Sequence, residues 1–491
     1  MAAERAGVPA VVNTCEGFKT QGQRIGALGG LPWEPVVIYP GHIDTYDLET
    51  RARYISELVA PGNEEALTTQ IEEGAAVPEP PETTISFKGT FDEVLNYYHL
   101  EKMWSDGLPI VPPTKEKVEE FLKYTDYPAD AILTRPLPPS YREVTPWSVA
   151  VNGVLAGCRP EYMPALVGIA KCWAEPSWGM QDHGQTPGIS SFTVINGPIA
   201  DQLGMNYHHT YGRSGYQSNT SMGRFYSMYK RNLAEIRVED FSDMGTHGLP
   251  DFSVMAENDE LCHSYGWKTL AEERGFKYGD NVVHSMSINN VLSAAAIEET
   301  TAEGLMWKIV GQICEGQAAS WRLMGNPIGS SFSWQVFIMT KVVADVFAKE
   351  GWDKEKICDY IYNNAKRTAR YFETRYQRSG PAGAPGLGFF CDLIKSGGKF
   401  ETRLASHEIR KEYCESEDPD RLVPMFAVRD RIMLILAGDE VRNRVACYQN
   451  NGEGSYFTSM KIELPKNWDA LYAASELKKD LDNLQREFKC I

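Results

Sequence analysis

No apolar run in this sequence approaches the roughly 18 residues that a membrane-spanning helix needs. Positive charge is also short: 49 Lys and Arg stand against 66 Asp and Glu, a net charge of −17. That excludes a nucleic-acid-binding surface, which needs a basic stripe, and disfavours anionic membranes. There is no CxxC pair. The 10 cysteines show no repeated spacing, so a disulfide framework and a structural zinc site are both excluded, and a reducing cytoplasm is expected. The first residues, Met1 to Arg5, lack the basic and apolar segments of a signal peptide. P-loop, GxGxxG, HExxH and GxSxG motifs are missing, as are an internal repeat and any low-complexity tract.

What is there is an ordinary globular composition, 43% hydrophobic and 23% charged over 491 residues, long enough for two domains. Residues 1–74 read as a partial α/β unit: strand 8–12, helix 21–28, strand 35–39 and a helix from Asp47. Two strands do not make a stable sheet, so the missing strands must come from elsewhere in the chain or from a partner. A Pro/Glu-rich linker follows at 75–87, and 88–491 forms a large mixed α/β (α+β) domain. Capping residues set several of its helices: Thr90 with Glu93, Thr114, Pro160 at a first turn, and Asn219. Strands are expected at 191–195, 333–338, 432–436 and 457–464, and a final amphipathic helix at 469–488. The Gly-rich 376–400 and the charged 408–420 read as long surface loops.

Cys15 falls between a strand and a helix start, where backbone N–H groups and the helix dipole lower a thiol's pKa and make it nucleophilic. Cys158, at a helix C-terminus but beside Arg159 and the next helix start, is a second candidate thiol. Six of the 9 histidines lie between 183 and 284, in loops dense with carboxylates. One imidazole or carboxylate suffices for proton transfer, so His183, His247 and Glu257 are candidate acid–base groups. The histidines lack metal-ligand spacing, so no metal ligand is assigned, and the cofactor is left open. Arg213 and Arg224 suit a bidentate carboxylate clamp, and the Asn196–Gly197 amides suit anion donors, with Asn219 alongside.

Several runs resemble a known family: Trp104–Thr114, Val151–Pro164, Val194–Ile199, Asn219–Arg224, Ala256–Glu260, Glu273–Phe276, Glu350–Trp352 and Leu464–Asp469. Together they resemble the large proteins associated with the UGSC-type (seleno)protein family, over about 88 to 473. Cys15–Phe18 and Gly30–His42 are similar to the back half of the UGSC-type domain itself, whose Sec/Cys-Gly-Ser-Cys signature is absent here. The resemblance implies either that Cys15 replaces the missing thiol or that a separate UGSC-type subunit supplies it.

These readings converge on an enzyme, a lyase or oxidoreductase, that cleaves or reduces a carbon–heteroatom bond of a small carboxylate-bearing molecule with thiol assistance. Two alternatives stand beside it. One is a metal-dependent lyase or hydrolase using the loops 183–263. The other is a non-catalytic large subunit paired with a UGSC-type partner or with a second copy.

Overall fold

The computed structural model describes residues 2–69, 83–184, 188–245, 249, 254–293, 299–320, 333–373, 387–397, 399–401, 406–408, 410–450 and 456–481. Most of the expected linker, and His247, lie outside them.

The N-terminal unit forms with its first strand displaced toward Cys15. Strand β1 is Val12–Cys15, followed by α1, Lys19–Leu28, and β2, Val36–Tyr39, which runs parallel to β1. Helix α2, Leu48–Tyr54, is capped by the Asp47 carboxylate on Thr50 N–H and continues through a π turn, Ile55–Val59, into α3, Ala60–Thr68. Consecutive strand residues face opposite sides, and each side is covered. Gly22 of α1 lies over Val36, and Gly62 of α3 lies over Val37. The unit docks on the rest of the chain through α1. Gln21 Nε2 donates to Gly184 O (2.7 Å) and Ser242 O (3.2 Å), and Arg24 pairs with Asp240 (3.0 Å).

In the large domain, α4 is Pro146–Leu155, α5 Met163–Ala174, β3 Ser190–Asn196, α6 Gln217–Asn232, β4 Met255–Ala256, α7 Asp259–Ser264, β5 Val282–Ile288 and β6 Asn290–Ser293. Then come α8 Ala302–Ser320, β7 Gln335–Met339, α9 Lys341–Lys349, α10 Lys354–Asn364, β8 Ile432–Leu436, β9 Val445–Gln449 and β10 Thr458–Lys461. Asn219 proves to be an interior residue of α6, which Tyr216 precedes as cap. The last expected helix breaks at Ser475, whose backbone is extended; its hydroxyl accepts Lys478 N–H and starts a new turn.

Two four-stranded sheets carry the domain, and they share one plan. The first has the order β10–β5–β3–β4 and the second β6–β9–β7–β8. In each, the last two strands are parallel and the other neighbours antiparallel. Chain order repeats as well: β3, β4 and β5 build the first sheet, then β6 crosses to the second; β7, β8 and β9 build the second, then β10 crosses back. The turn after β4 (Ala256-Glu257-Asn258-Asp259-Glu260) is echoed after β8 by Ala437-Gly438-Asp439-Glu440. No repeat is legible in the sequence, where the likeness is confined to such fragments. The two sheets repeat one topology with their fourth strands exchanged.

The sheets pack face to face, and helices cover both outer faces. Between them lie Phe192, Val194, Met286, Val336, Ile338, Met433 and Ile435. Trp173 of α5 anchors the first outer layer, stacking on Phe225 at 5.7 Å and donating Nε1–H to Ser285 Oγ (3.0 Å). The second outer layer packs Phe347, Ile357 and Ile361 on Phe337, Leu434 and Leu436. Cys391 and Cys414 are joined by a disulfide across the 387–414 region, which the cysteine spacing did not indicate. No helix among the described residues is long and apolar enough to cross a membrane.

Candidate active site

β3 and β4 run parallel and end side by side at Asn196 and Ala256. The chain leaves β4 into Glu257, Asn258 and Asp259, and Asn258 caps α7 by accepting Leu261 N–H (2.9 Å). Asn258 N–H donates to Leu436 O (2.8 Å), so the end of β8, from the second sheet, meets the same point. Gly197 has φ +96°, and a Cβ there would lie 2.4 Å from Asp280 O, so only glycine fits that turn.

Glu257 is buried and fully engaged. Its Oε1 accepts Lys354 Nζ (2.6 Å), Leu436 N–H (3.2 Å) and the Cys262 thiol (3.4 Å). Its Oε2 accepts Leu270 N–H (2.6 Å) and Asn196 Nδ2 (2.8 Å). Burial alone would lower the pKa of the Lys354 ammonium, but the acidic groups beside it, Cys262, Glu257 and Glu273, outweigh that and keep it charged. Burial and the Glu257 charge hold the Cys262 thiol well above its ordinary range.

Asp259 differs. Asn196 Nδ2 (2.6 Å) and Gly197 N–H (2.8 Å) donate to its two oxygens, and it faces a cleft of about 210 Å³. Glu257 lies at the floor, Tyr207 on the wall, and Asp201, Glu260 and Tyr278 at the rim. Burial, then the neighbouring Glu257 charge, push the Asp259 carboxyl up to about 7. Hydrogen bonds from Gly197 and Asn196 and the Lys354 charge act the other way and only partly offset this. Tyr207 donates its hydroxyl to Asp201 (2.7 Å), and burial keeps that phenol neutral. His263 stacks on Tyr278 at 3.6 Å and pairs with Glu272 (2.8 Å).

Of the residues singled out in the sequence, the structure brings together Glu257, Asn196 and Gly197. Their donors already serve the two carboxylates, so Asn196 and Gly197 are not free to receive a substrate anion. The others lie apart. His183 is sealed in aromatic core, stacked on Trp178 at 4.3 Å with Nδ1 bonded to the Tyr226 hydroxyl. Burial and the Lys230 charge lower its pKa well below the ordinary value, so the imidazole is a neutral packing group rather than a base. Arg224 is committed to Asp106 through two bonds of 2.8 and 2.7 Å. Asn219 ties Asn206 to Val254 through its amide, a structural clamp. Burial raises the Cys158 thiol to about 12, which removes it as a nucleophile. Arg213 is exposed on the turn that starts at Thr210. Cys15 closes β1 in the N-terminal unit, half-buried beside Tyr39.

Among the described residues, no group of three or more His, Cys, Asp or Glu side chains is arranged to hold a metal ion. The histidines of the 183–263 loops disperse instead: His208 pairs with Glu440 (2.9 Å) and His263 with Glu272. Sequence reading missed Lys354, Asp201 and Tyr278 and treated Asp259 only as a neighbouring carboxylate. The available signal was two carboxylates flanking Asn258 directly after an apolar strand. Comparison with protein-family models, curated proteins and solved structures finds no match.

Asp259 also fixes a pH dependence. Its folded pKa, about 7, exceeds the unfolded carboxylate value of about 3.9, so the folded chain retains a proton that the unfolded chain has lost. Stability therefore falls as pH rises between those values. Asp259→Asn removes this term: relative to the unsubstituted chain, it should gain about 3–4 kcal/mol on going from roughly pH 4 to pH 8. Urea melts at both pH values measure it, and a pH-independent difference would contradict the assignment.

Proposed function

We propose that this protein is an enzyme that acts by proton transfer on a small cationic molecule bound in the cleft at the ends of β3 and β4, with Asp259 as the acid–base group. The observation that carries this reading is one half-buried carboxyl at about 7, facing a cleft and supported by a saturated carboxylate behind it. General acid–base catalysis works best when the group's pKa lies near the working pH. Asp201, Asp259 and Glu260 make the cleft anionic, and Lys354 is sealed beneath Glu257, so a carboxylate-bearing substrate is disfavoured. The rings of Tyr207 and Tyr278 add faces that attract an ammonium or guanidinium group. The cleft is small beside the roughly 300–1,000 Å³ of drug-sized sites.

A second reading concerns the N-terminal unit. Its two parallel strands have helices on both faces, so the route left for completing the sheet is an added strand at an edge. Val12, which opens β1, and Val8 just before the strand are exposed. A strand from a UGSC-type partner, or from a second copy, would pair there and cover Cys15. Thiol chemistry, if this protein uses it, would then belong to that junction.

Each reading has its own test. Calorimetric titration at about pH 8 should show saturable binding of small alkylammonium or guanidinium ions at about millimolar affinity, lost in Asp259→Asn, and no binding of acetate. Binding of acetate but not of amines would overturn the first reading. Analytical ultracentrifugation with hydrogen exchange addresses the second. A dimer broken by Val12→Asp assigns the strand to a second copy. A monomer whose β1 amides gain protection only with a UGSC-type chain assigns it to a partner. A monomer with β1 already protected overturns it.

A further inference from the structure

Lys354 is the first residue of α10, a helix of the second sheet's outer layer. A cation in a helix's first turn faces the positive end of the macrodipole, and burial adds a desolvation cost. The Lys354 side chain is nevertheless only 3% exposed, 2.6 Å from a Glu257 carboxylate that is 0% exposed. Asn196 Nδ2 then bridges Glu257 Oε2 (2.8 Å) and Asp259 Oδ1 (2.6 Å). An unbroken chain of contacts therefore runs from Lys354 through Glu257 and Asn196 to the carboxyl that faces the cleft.

We propose that Lys354 is a positioning residue: by pairing with Glu257 it completes the set of donors that saturates that carboxylate, so that the exchangeable proton of the pair resides on Asp259. This rests on the reading of Asp259 as the acid–base group. Glu257 has no vacancy for a proton, since each oxygen already accepts two or three donors, whereas Asp259 opens on solvent. The charged and titratable groups around the pair agree with this division. Glu257, Glu260, Asp201, Tyr207, Tyr278 and Cys262 surround Asp259, and every carboxylate among them opposes its ionisation. Glu257, Cys262 and Glu273 surround Lys354 and favour its charge. Without the ammonium, two adjacent carboxylates would compete for one proton, and the site would bind it more tightly.

The experiment is carbodiimide-driven amide formation at Asp259 as a function of pH, quantified by mass spectrometry against the exposed carboxylates of the same sample. Only the protonated acid reacts readily, so the midpoint reports the Asp259 proton. In the full-length chain it should lie near 7. Lys354→Met should lower it by about one pH unit or more, because the shared proton then leaves Asp259 for Glu257, and Lys354→Arg should restore it. The double variant Glu257→Gln with Lys354→Met leaves no unpaired buried charge, so it folds if the single variant does not. Its midpoint should fall below that of the unsubstituted chain, because Glu257 raises Asp259 more than Lys354 lowers it. A midpoint unmoved in Lys354→Met or in the double variant, or an ordinary carboxylate midpoint in the unsubstituted chain, would overturn the proposal. If the midpoints move as stated while no amine binds, the assignment of Lys354 stands and the cationic-substrate reading fails.

Discussion

The ion pair between Lys354 and Glu257 is the constraint on which the centre of this molecule depends. Five donors converge on one buried carboxylate, from the end of β3, from α7, from the turn at Leu270, from α10 and from the end of β8. Withdrawing α10 would leave a buried charge unpaired, which costs about 3–5 kcal/mol, and shifting any of the other four would cost that carboxylate a donor. The pair therefore fixes where two sheets meet, and with them the turn that presents Asp259.

Exchange of the fourth strands has the same consequence at larger scale. Because β6 completes the second sheet and β10 the first, neither half of the chain closes its own sheet. The inter-sheet core, Phe192 and Met286 against Val336 and Ile435, is shared by both halves. The cleft at the ends of β3 and β4 is lined by the first half alone, from Gly197 to Gly279, while Lys354 and Leu436 of the second half hold Glu257 from behind. The two sheets differ there: Glu257 follows Ala256 in the first, and Gly438 follows Ala437 in the second. That difference gives the first sheet its buried carboxylate.

Much of the frame is legible in the sequence, because local chemistry decides it. The capping box of Thr90 and Glu93, the helix starting after Thr114, and the apolar strand Ile432–Leu436 form where their residues place them. So does the two-strand shortage of the N-terminal unit. The strands β5 and β9 were hidden by their polar residues. β5 carries His284, Ser285 and Ser287, which break the apolar pattern of a buried strand; inside the sheet, Ser285 Oγ is bonded by Trp173 and Trp178 and His284 by Ser459. The site was half legible. Proximity in sequence grouped His183 with Glu257, but the fold sends one into aromatic packing and the other into the ion pair. Lys354 carries no local signal at all, since its partner lies 97 residues away.

If Asp259 holds its proton in an anionic cleft at the ends of β3 and β4, a cation should enter there. A crystal of the full chain soaked in methylammonium at about pH 8 tests it most directly. The cation is expected against Asp259, between the rings of Tyr207 and Tyr278, with Lys354 still on Glu257. An anion in that position, or Lys354 turned from Glu257 toward Asp259, would contradict it.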